Sequence, residues 1–211
     1  MVWQDHNGTD MSELKKICVY CGSGPGNDPA YMAAGHAFGK ILAENRIGLV
    51  YGGGSVGIMG AIAEAVEAGG GNVTGIIPDF LVQRERAHNG EHGLIVTRDM
   101  HERKRLMFEH ADAFVALPGG VGTLEELVEQ LTWIQLGRHR KPVLLANIKG
   151  FWNPLRALLD HMKAVQFIRE GLDFNMLVAE TVEDILPTLR KALADVDEAD
   201  KKMKVAAAHQ L

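Results

Sequence analysis

The fold of this chain is decided by the stretch Pro118-Gly119-Gly120-Val121-Gly122-Thr123-Leu124-Glu125-Glu126. An apolar run at 113–117 precedes it and predicts a buried strand. Apolar residues at the spacing of one helix face follow it: Leu124, Leu127, Val128, Leu131 and Ile134. The unit is therefore strand, glycine loop and helix N-terminus. Such a junction directs free backbone N–H groups and the positive end of a helix dipole to one point, which suits an anion such as phosphate.

Length and composition point to one globular domain. The chain has 211 residues, of which 46% are hydrophobic and 23% charged, and its net charge is −5. This balance predicts a packed core and argues against a general nucleic-acid binder. No apolar run approaches the roughly 20 residues that span a bilayer. Because the first sixteen residues are polar and lack a signal-peptide pattern, we expect a soluble, cytoplasmic protein.

Strand and helix patterns alternate along the chain. Strands are predicted at 16–20, 47–51, 72–77, 94–97, 113–117, 142–147 and 176–179. Helices are predicted at 29–45, 58–68, 99–110, 123–136, 153–168 and 181–194, and 80–93 is irregular. Alternation of this kind predicts an α/β fold, a single-domain Rossmann-like parallel sheet with helices on both faces. The domain is expected to span 12–194, with flexible tails at 1–11 and 195–211.

A second glycine loop offers a rival function. Gly52, Gly54 and Gly57 satisfy G-x-G-x-x-G after a predicted strand and before a helix, and Asp79 lies about twenty residues further on. This pattern is typical of a dinucleotide site and keeps open an NAD(P)-binding oxidoreductase. The match falls on the second strand, however, and Asp79 lies after the third strand has stopped at a proline. The Walker pattern G-x-x-x-x-G-K-[ST] does not occur.

Two cysteines, Cys18 and Cys21, stand in a C-x-x-C spacing. A redox pair or half a zinc site would use this spacing. The surrounding residues predict a strand, however, in which positions three apart face opposite sides of the sheet. No second cysteine pair exists to complete a zinc site. We therefore interpret both cysteines as structural.

Cations concentrate at 100–105, upstream of the glycine motif, and include Arg103 and Lys104. They predict either a solvated helix face or a clamp for a phosphate or ribose. His101 does not continue into H-E-x-x-H, so there is no sign of a zinc protease. Thr123 and Glu126 also fit a capping box, with Thr123 as the helix N-cap. A non-catalytic nucleotide-binding protein, in which Glu126 only caps a helix, is therefore a further alternative.

A signature motif and four further segments together resemble the Lonely Guy family. The motif P-G-G-x-G-T-x-x-E is its signature and is matched at 118–126. The other similar segments are Cys21-Gly22-Ser23, Tyr51-Gly52-Gly53-Gly54, Met100-His101-Glu102-Arg103-Lys104 and the run 131–137. The resemblance covers nearly everything from 16 to 190. These proteins are cytokinin riboside 5′-monophosphate phosphoribohydrolases, and many were once labelled lysine decarboxylases.

The resemblance implies an activity and a set of site residues. It implies hydrolysis of the N-glycosidic bond of a nucleoside 5′-monophosphate, including AMP, to a free base and ribose 5-phosphate. Arg103 and Glu126 match the catalytic pair. The positions that match substrate-binding residues are Ser23, Gly54, Glu85, Met100, Lys104, Gly119, Gly120, Val121, Gly122, Thr123, Leu124, Glu125 and Thr132. The resemblance also implies a homodimer, and no metal or cofactor is expected.

The sequence departs from the family's usual motifs at two places. Val121 occupies a position where members often carry Tyr, and the loop around Glu85 differs from the sequence that is commonest in the family. The chemistry is nevertheless coherent. Glycosidic cleavage builds positive charge on the ribose, which a carboxylate such as Glu126 stabilises while it orients a water. The sequence does not predict which base is preferred, because AMP and prenylated AMP share the phosphate and ribose that these motifs are expected to bind.

Overall fold

One parallel sheet organises the molecule. The computed structural model describes residues 14–83, 93–168 and 176–208. Within these ranges the strands are β1 (Lys16–Tyr20), β2 (Gly48–Tyr51), β3 (Val73–Pro78), β4 (Leu94–Thr97), β5 (Ala113–Ala116), β6 (Val143–Ala146) and β7 (Leu177–Ala179). Their order in the sheet is β4-β3-β2-β1-β5-β6-β7, and all neighbours pair in parallel. The predicted α/β class is confirmed.

Helices cover both faces of this sheet. They are α1 (Pro29–Glu44), α2 (Gly57–Ala68), α3 (Met100–Glu109), α4 (Val121–Gln135), α5 (Asn153–Ala164) and α6 (Ile185–Ala208). Phe38 of α1, Ile62 of α2 and Leu189 of α6 belong to one buried cluster. Met107 of α3 and Leu127 of α4 belong to a second cluster, against which α5 also packs. Each cluster fills the space between one face of the sheet and its helices, as expected for a doubly covered parallel sheet.

The strand order reverses at β1. From β1 the chain adds strands outward through β2, β3 and β4, and then returns to place β5 on the other side of β1. The loops that leave β1 and β5 therefore start side by side. The Gly22 N–H donates to the Pro118 carbonyl at 3.0 Å, which ties the two loops together beyond the strand ends. Ligands of open α/β sheets bind at such a reversal.

The start of α4 differs from its prediction. The capping box predicts Thr123 as N-cap, but the helix begins at Val121 and its N-cap is Gly120, which makes no side-chain capping bond. Thr123 is instead the third helical residue and is buried. The close approach of the β1 and β5 loops starts the helix earlier than the side-chain pattern indicates. Glu125 and Glu126 consequently lie in the second helical turn rather than the first.

Two other helix ends also differ. The helix predicted over 153–168 ends at Ala164, because Gln166 adopts φ +63 and closes a Schellman motif. In that motif Gln166 N donates to Lys163 O and Phe167 N to Met162 O. The last helix begins at Ile185 and continues to Ala208, past its predicted end at 194. The stretch after 194 holds neither Gly nor Pro, and good helix formers such as Ala and Lys dominate it.

The two cysteines lie on opposite faces of the sheet, as predicted. Cys18 belongs to the cluster under α3 and α4, whereas Cys21 belongs to the cluster under α1 and α2. They form no disulfide. Because the sheet separates the two thiols, one metal ion cannot bind both.

Candidate active site

The N-terminus of α4 presents an anion-binding turn. The first bond within this helix runs from Leu124 N to Gly120 O, at 3.1 Å. The preceding backbone N–H groups, those of Val121, Gly122 and Thr123, have no hydrogen-bond acceptor within the helix. A Cβ on Gly119 would collide with the Thr123 hydroxyl and lie 2.8 Å from Gly22 N, so only glycine fits there. The turn is thus fixed by backbone packing and leaves three N–H groups for an anion.

A buried ion pair lies one turn further along the helix. Arg103 Nη2 of α3 is 3.5 Å from Glu126 Oε1 of α4. Their side chains are only 8% and 11% exposed. Charges taken out of water are costly unless they are paired, so each side chain depends on the other. The two predicted catalytic residues are therefore brought together, although they are 23 positions apart in the sequence.

The space for Arg103 comes from a glycine loop. A Cβ on Gly52 would collide with Nη2 of Arg103 and lie 3.1 Å from Met59 Sδ. On the other side, Arg103 Nη1 donates to Met100 Sδ at 3.8 Å. Arg103 Nε is buried with no hydrogen-bond partner among the described residues. Gly52, which the sequence offered as part of a dinucleotide fingerprint, here makes room for the guanidinium group.

Lys104, next to Arg103, bridges α3 and α4. Its Nζ lies 2.7 Å from Glu125 Oε1 and 2.9 Å from Glu129 Oε1. Burial opposes the charged form, but hydrogen bonds to the two carboxylates outweigh it and raise the pKa of Lys104. Glu129 was not among the predicted site residues. Its signal in the sequence is its position four residues after Glu125, on the same face of the helix.

Beneath Glu126 the sheet supplies an apolar floor with two weak acids. Burial raises the pKa of the Cys18 thiol well above its ordinary value, and the charge of Glu126 adds to the effect. Burial likewise raises the pKa of Tyr20, with Cys18 and Glu126 as further causes. Both groups are therefore neutral at physiological pH. A low-dielectric floor of this kind strengthens the charge interactions above it.

Other predicted site residues lie on the loops after β1 and β2 and differ in how exposed they are to solvent. Ser23 is exposed on the loop after β1, and Gly54 is buried in the middle of the loop after β2. Gly57, which opens α2, packs so closely against the backbone of Ser23 that a Cβ would collide there. Glu85 lies outside the described residues. Ser23, Gly54 and Gly57 lie on or at the end of the loops that follow β1 and β2.

Thr132 is not brought to the ion pair. It lies six residues after Glu126, which places it about 9 Å along the helix axis and on a different face. Its hydroxyl donates to Val128 O at 2.8 Å, and the residue is exposed.

The structure does not support the alternative in which Glu126 only caps α4. The N-cap is Gly120, so Glu126 is the sixth residue of the helix and lies outside the capping turn. In the described ranges, no group of three or more His, Cys, Asp and Glu side chains could hold a metal ion. None of the helices in those ranges is long and apolar enough to cross a membrane.

Fold and site define a class: a Rossmann-like α/β protein with an anion-binding glycine turn and a buried carboxylate–guanidinium pair at the strand reversal. Residues 59–189 match the family model described as "possible lysine decarboxylase". The chain is 44% identical over 192 residues to cytokinin riboside 5′-monophosphate phosphoribohydrolase LOG7 of Arabidopsis thaliana, covering 91% of this chain and 88% of that protein. It is 50% identical over 178 residues to LOG1 of the same plant, covering 84% of each. The chain belongs to this family, the Lonely Guy family, as the motifs predicted.

Solved structures agree on the fold. The molybdenum cofactor binding protein of Rippkaea orientalis has a TM-score of 0.62 and 20% identity, covering 85% of this chain and 97% of that one. The Moco carrier protein of Chlamydomonas reinhardtii also has a TM-score of 0.62, at 22% identity, covering 87% of this chain and 99% of that one. At this identity the likeness concerns the fold alone.

Proposed function

We propose that this protein hydrolyses the N-glycosidic bond of cytokinin riboside 5′-monophosphates and of AMP. Water adds to C1′ of the ribose, the bond from C1′ to the base nitrogen breaks, and the base leaves with a proton. The products are the free base and ribose 5-phosphate. Family membership supports this activity, since relatives at 44% and 50% identity are named for it.

The observation that carries the proposal is the buried contact between Arg103 and Glu126. The transition state of glycosidic cleavage resembles an oxocarbenium ion. A carboxylate fixed beside C1′ stabilises this charge and accepts a proton from the attacking water. Glu126 is suited to that role because it is held in a helix and nearly excluded from solvent. Arg103 compensates the carboxylate charge, and in this proposal its guanidinium group also serves as a donor to a ribose hydroxyl or the phosphate.

The 5′-phosphate would bind the N-terminus of α4. The N–H groups of Val121, Gly122 and Thr123 precede the first bond within the helix and suit its oxygens. Because Glu126 is only one turn further along, a nucleotide anchored there brings its ribose close to the carboxylate. Binding energy from a remote phosphate is thereby used to orient the reacting bond.

The NAD(P) alternative receives no support from the geometry. In a dinucleotide fingerprint the first glycine allows a tight turn and the acidic residue binds ribose. Here the space at Gly52 is filled by Arg103. Asp79 is exposed, lies beyond β3 and accepts a bond from Phe80 N, its own neighbour.

The test is release of ribose 5-phosphate from purified protein, with AMP and isopentenyladenosine monophosphate compared as substrates. We expect product from both, and their kcat/KM ratio then gives the base preference. If neither AMP nor isopentenyladenosine monophosphate yields ribose 5-phosphate, the proposed function is overturned. Mixing with NADPH and following nicotinamide fluorescence covers the alternative, for which we expect no change.

We also propose that the protein is a homodimer that uses α4. Three apolar residues on one stripe of this helix are exposed, with fractions of 83% for Val121, 36% for Leu124 and 42% for Val128. The stripe begins at the anion-binding turn, so a partner placed there would lie next to the active site. Closed two-fold dimers are the commonest oligomers. We further propose that the protein is cytoplasmic.

A further inference from the structure

Three carboxylates of α4 face two cations of α3. Glu126 contacts Arg103, whereas Glu125 and Glu129 share Lys104. Arg103 and Lys104 are adjacent in the sequence, so the same turn of α3 carries the cations of all three ion pairs. The contacts to Lys104 are short, at 2.7 and 2.9 Å, and the contact to Arg103 is longer, at 3.5 Å. The shorter contacts therefore fix the distance between the helices at the catalytic pair.

Glu129 is the less exposed of the two carboxylates that hold Lys104. Its side chain is 21% exposed, against 49% for Glu125. Its other oxygen, Oε2, is buried with no hydrogen-bond partner among the described residues. An exposed ion pair contributes little, but a partly buried one is screened less and restricts both helices. The Lys104–Glu129 contact is thus the better shielded from solvent of the two links between α3 and α4.

We propose that Glu129 is a positioning residue for the catalytic pair. It holds Lys104, Lys104 fixes α3 against α4, and this contact sets where Arg103 lies relative to Glu126. Glu129 itself touches neither substrate nor the reacting atoms. Loss of its charge would allow α3 to shift, so that the guanidinium group no longer faces the carboxylate in the reactive geometry. A misplacement of about 1 Å is enough to slow an enzyme by about a hundredfold.

This inference rests on the proposed function and makes a specific kinetic prediction. Glu129→Gln should lower kcat for AMP by at least about tenfold, with KM changed less than about twofold, because the transition state rather than ground-state binding suffers. Glu109→Gln is the matched control. Glu109 also pairs with a cation of α3, Arg105 at 2.9 Å, but within one helix. We expect the control to keep the wild-type kcat.

A double-mutant cycle makes the route explicit. If Glu129 acts through Lys104, the variant Lys104→Met and the double variant should have similar kcat values, since the contact is already lost. Additive effects would overturn the proposal. So would a Glu129→Gln enzyme with wild-type kcat, or one in which KM alone rises, because the carboxylate would then act in substrate binding. Thermal unfolding of every variant ensures that folded proteins are compared.

Failure of the proposed function is recognised separately. If the wild-type protein releases no ribose 5-phosphate, the activity assignment fails before any variant is compared. The contact is then tested in the same cycle by urea unfolding. A coupling between Lys104 and Glu129 that exceeds the coupling between Arg105 and Glu109 supports the link between α3 and α4. Equal couplings would overturn it.

Discussion

The guanidinium group of Arg103 occupies the space that a side chain on Gly52 would need. The two residues belong to different units of the fold, since Gly52 follows β2 and Arg103 lies on α3. A loop that looks like a dinucleotide fingerprint in the sequence thus accommodates the guanidinium group of Arg103, a predicted catalytic residue. The pairing of Arg103 with Glu126 depends on it, because no larger residue at position 52 leaves the guanidinium group where it is.

The first prediction follows directly from this contact. Gly52→Ala should displace Arg103 from Glu126 and lower kcat/KM for AMP by at least about a hundredfold, the usual cost of losing a preorganised electrostatic group. Gly48→Ala, at the start of the same strand, is the matched control. Its Cβ would lie 3.3 Å from Lys16 Cγ, a flexible side chain that can move. Equal activity of the two variants would contradict the role given to Gly52.

The second prediction concerns Glu126 itself. Glu126→Gln keeps the size of the side chain but cannot stabilise a cationic sugar equally well, so we expect a loss of about a hundredfold or more in kcat. The unfolding midpoint should also fall, since Arg103 loses its charged partner. Glu64→Gln, on the exposed face of α2, should change neither quantity. Turnover of AMP by Glu126→Gln at the wild-type rate would make the catalytic assignment wrong.

The third prediction concerns the phosphate. Adenosine lacks the group that would bind the N–H groups at the start of α4. Loss of roughly 3 kcal/mol of charge-assisted contacts lowers kcat/KM by at least about a hundredfold relative to AMP. Adenine release from both substrates, measured under the same conditions, gives the ratio. Similar rates would show that the glycine turn does not anchor a phosphate.

The fourth prediction is a pH dependence of stability. Burial is the main reason that the pKa of His139 falls to about 4, and the charge of Lys141 adds to it. The ring packs against Phe108, with 5.2 Å between ring centroids. The folded protein disfavours the charged ring, whereas the unfolded chain protonates it near its ordinary pKa of about 6.5. The free energy of unfolding should therefore fall as pH drops from about 6.5 to 4, by up to about 1.4 kcal/mol per pH unit from this group.

His139→Gln removes this titration. Chemical unfolding between pH 4 and 7 should accordingly give a flatter profile for His139→Gln than for the wild type. His36→Gln, at an exposed position of α1, is the control and should follow the wild-type profile. If His139→Gln and His36→Gln gave the same profile, the ring would not be held neutral by the fold.

The fifth prediction concerns assembly. Light scattering at micromolar concentration should give twice the 23.0 kDa mass of one chain. Val128→Asp should reduce it to one chain, because a charge is placed in the proposed apolar contact. Val96→Asp, at a similarly exposed valine of the edge strand β4, should leave the dimer intact. A wild-type mass of 23.0 kDa would refute the dimer, and a mass near six chains would indicate a larger assembly.

Much of the architecture was predictable because it depends on local patterns. The apolar strands and the helical spacing between them were predicted correctly. Asp28, which directly precedes α1, caps that helix and accepts from Ala30 N at 2.8 Å. The start of α4 was not predictable in the same way. Thr123 has the side chain of an N-cap, but the backbone contact between Gly119 and Gly22 begins the helix at Val121. That contact joins two loops that are far apart in the sequence.

The sequence by itself determined the parallel fold and the glycine turn suited to an anion, because periodicity and motif spacing are local properties. The choice of Arg103 and Glu126 as the candidate catalytic pair came from the resemblance to the Lonely Guy family. Only the tertiary structure decided what these groups meet. The guanidinium group of Arg103 lies against Gly52, and Lys104 forms ion pairs with Glu125 and Glu129. Thr132 lies away from the Arg103–Glu126 ion pair. Such contacts join α3, α4 and the β2 loop, and their distances follow from how helices pack on the sheet rather than from any single segment.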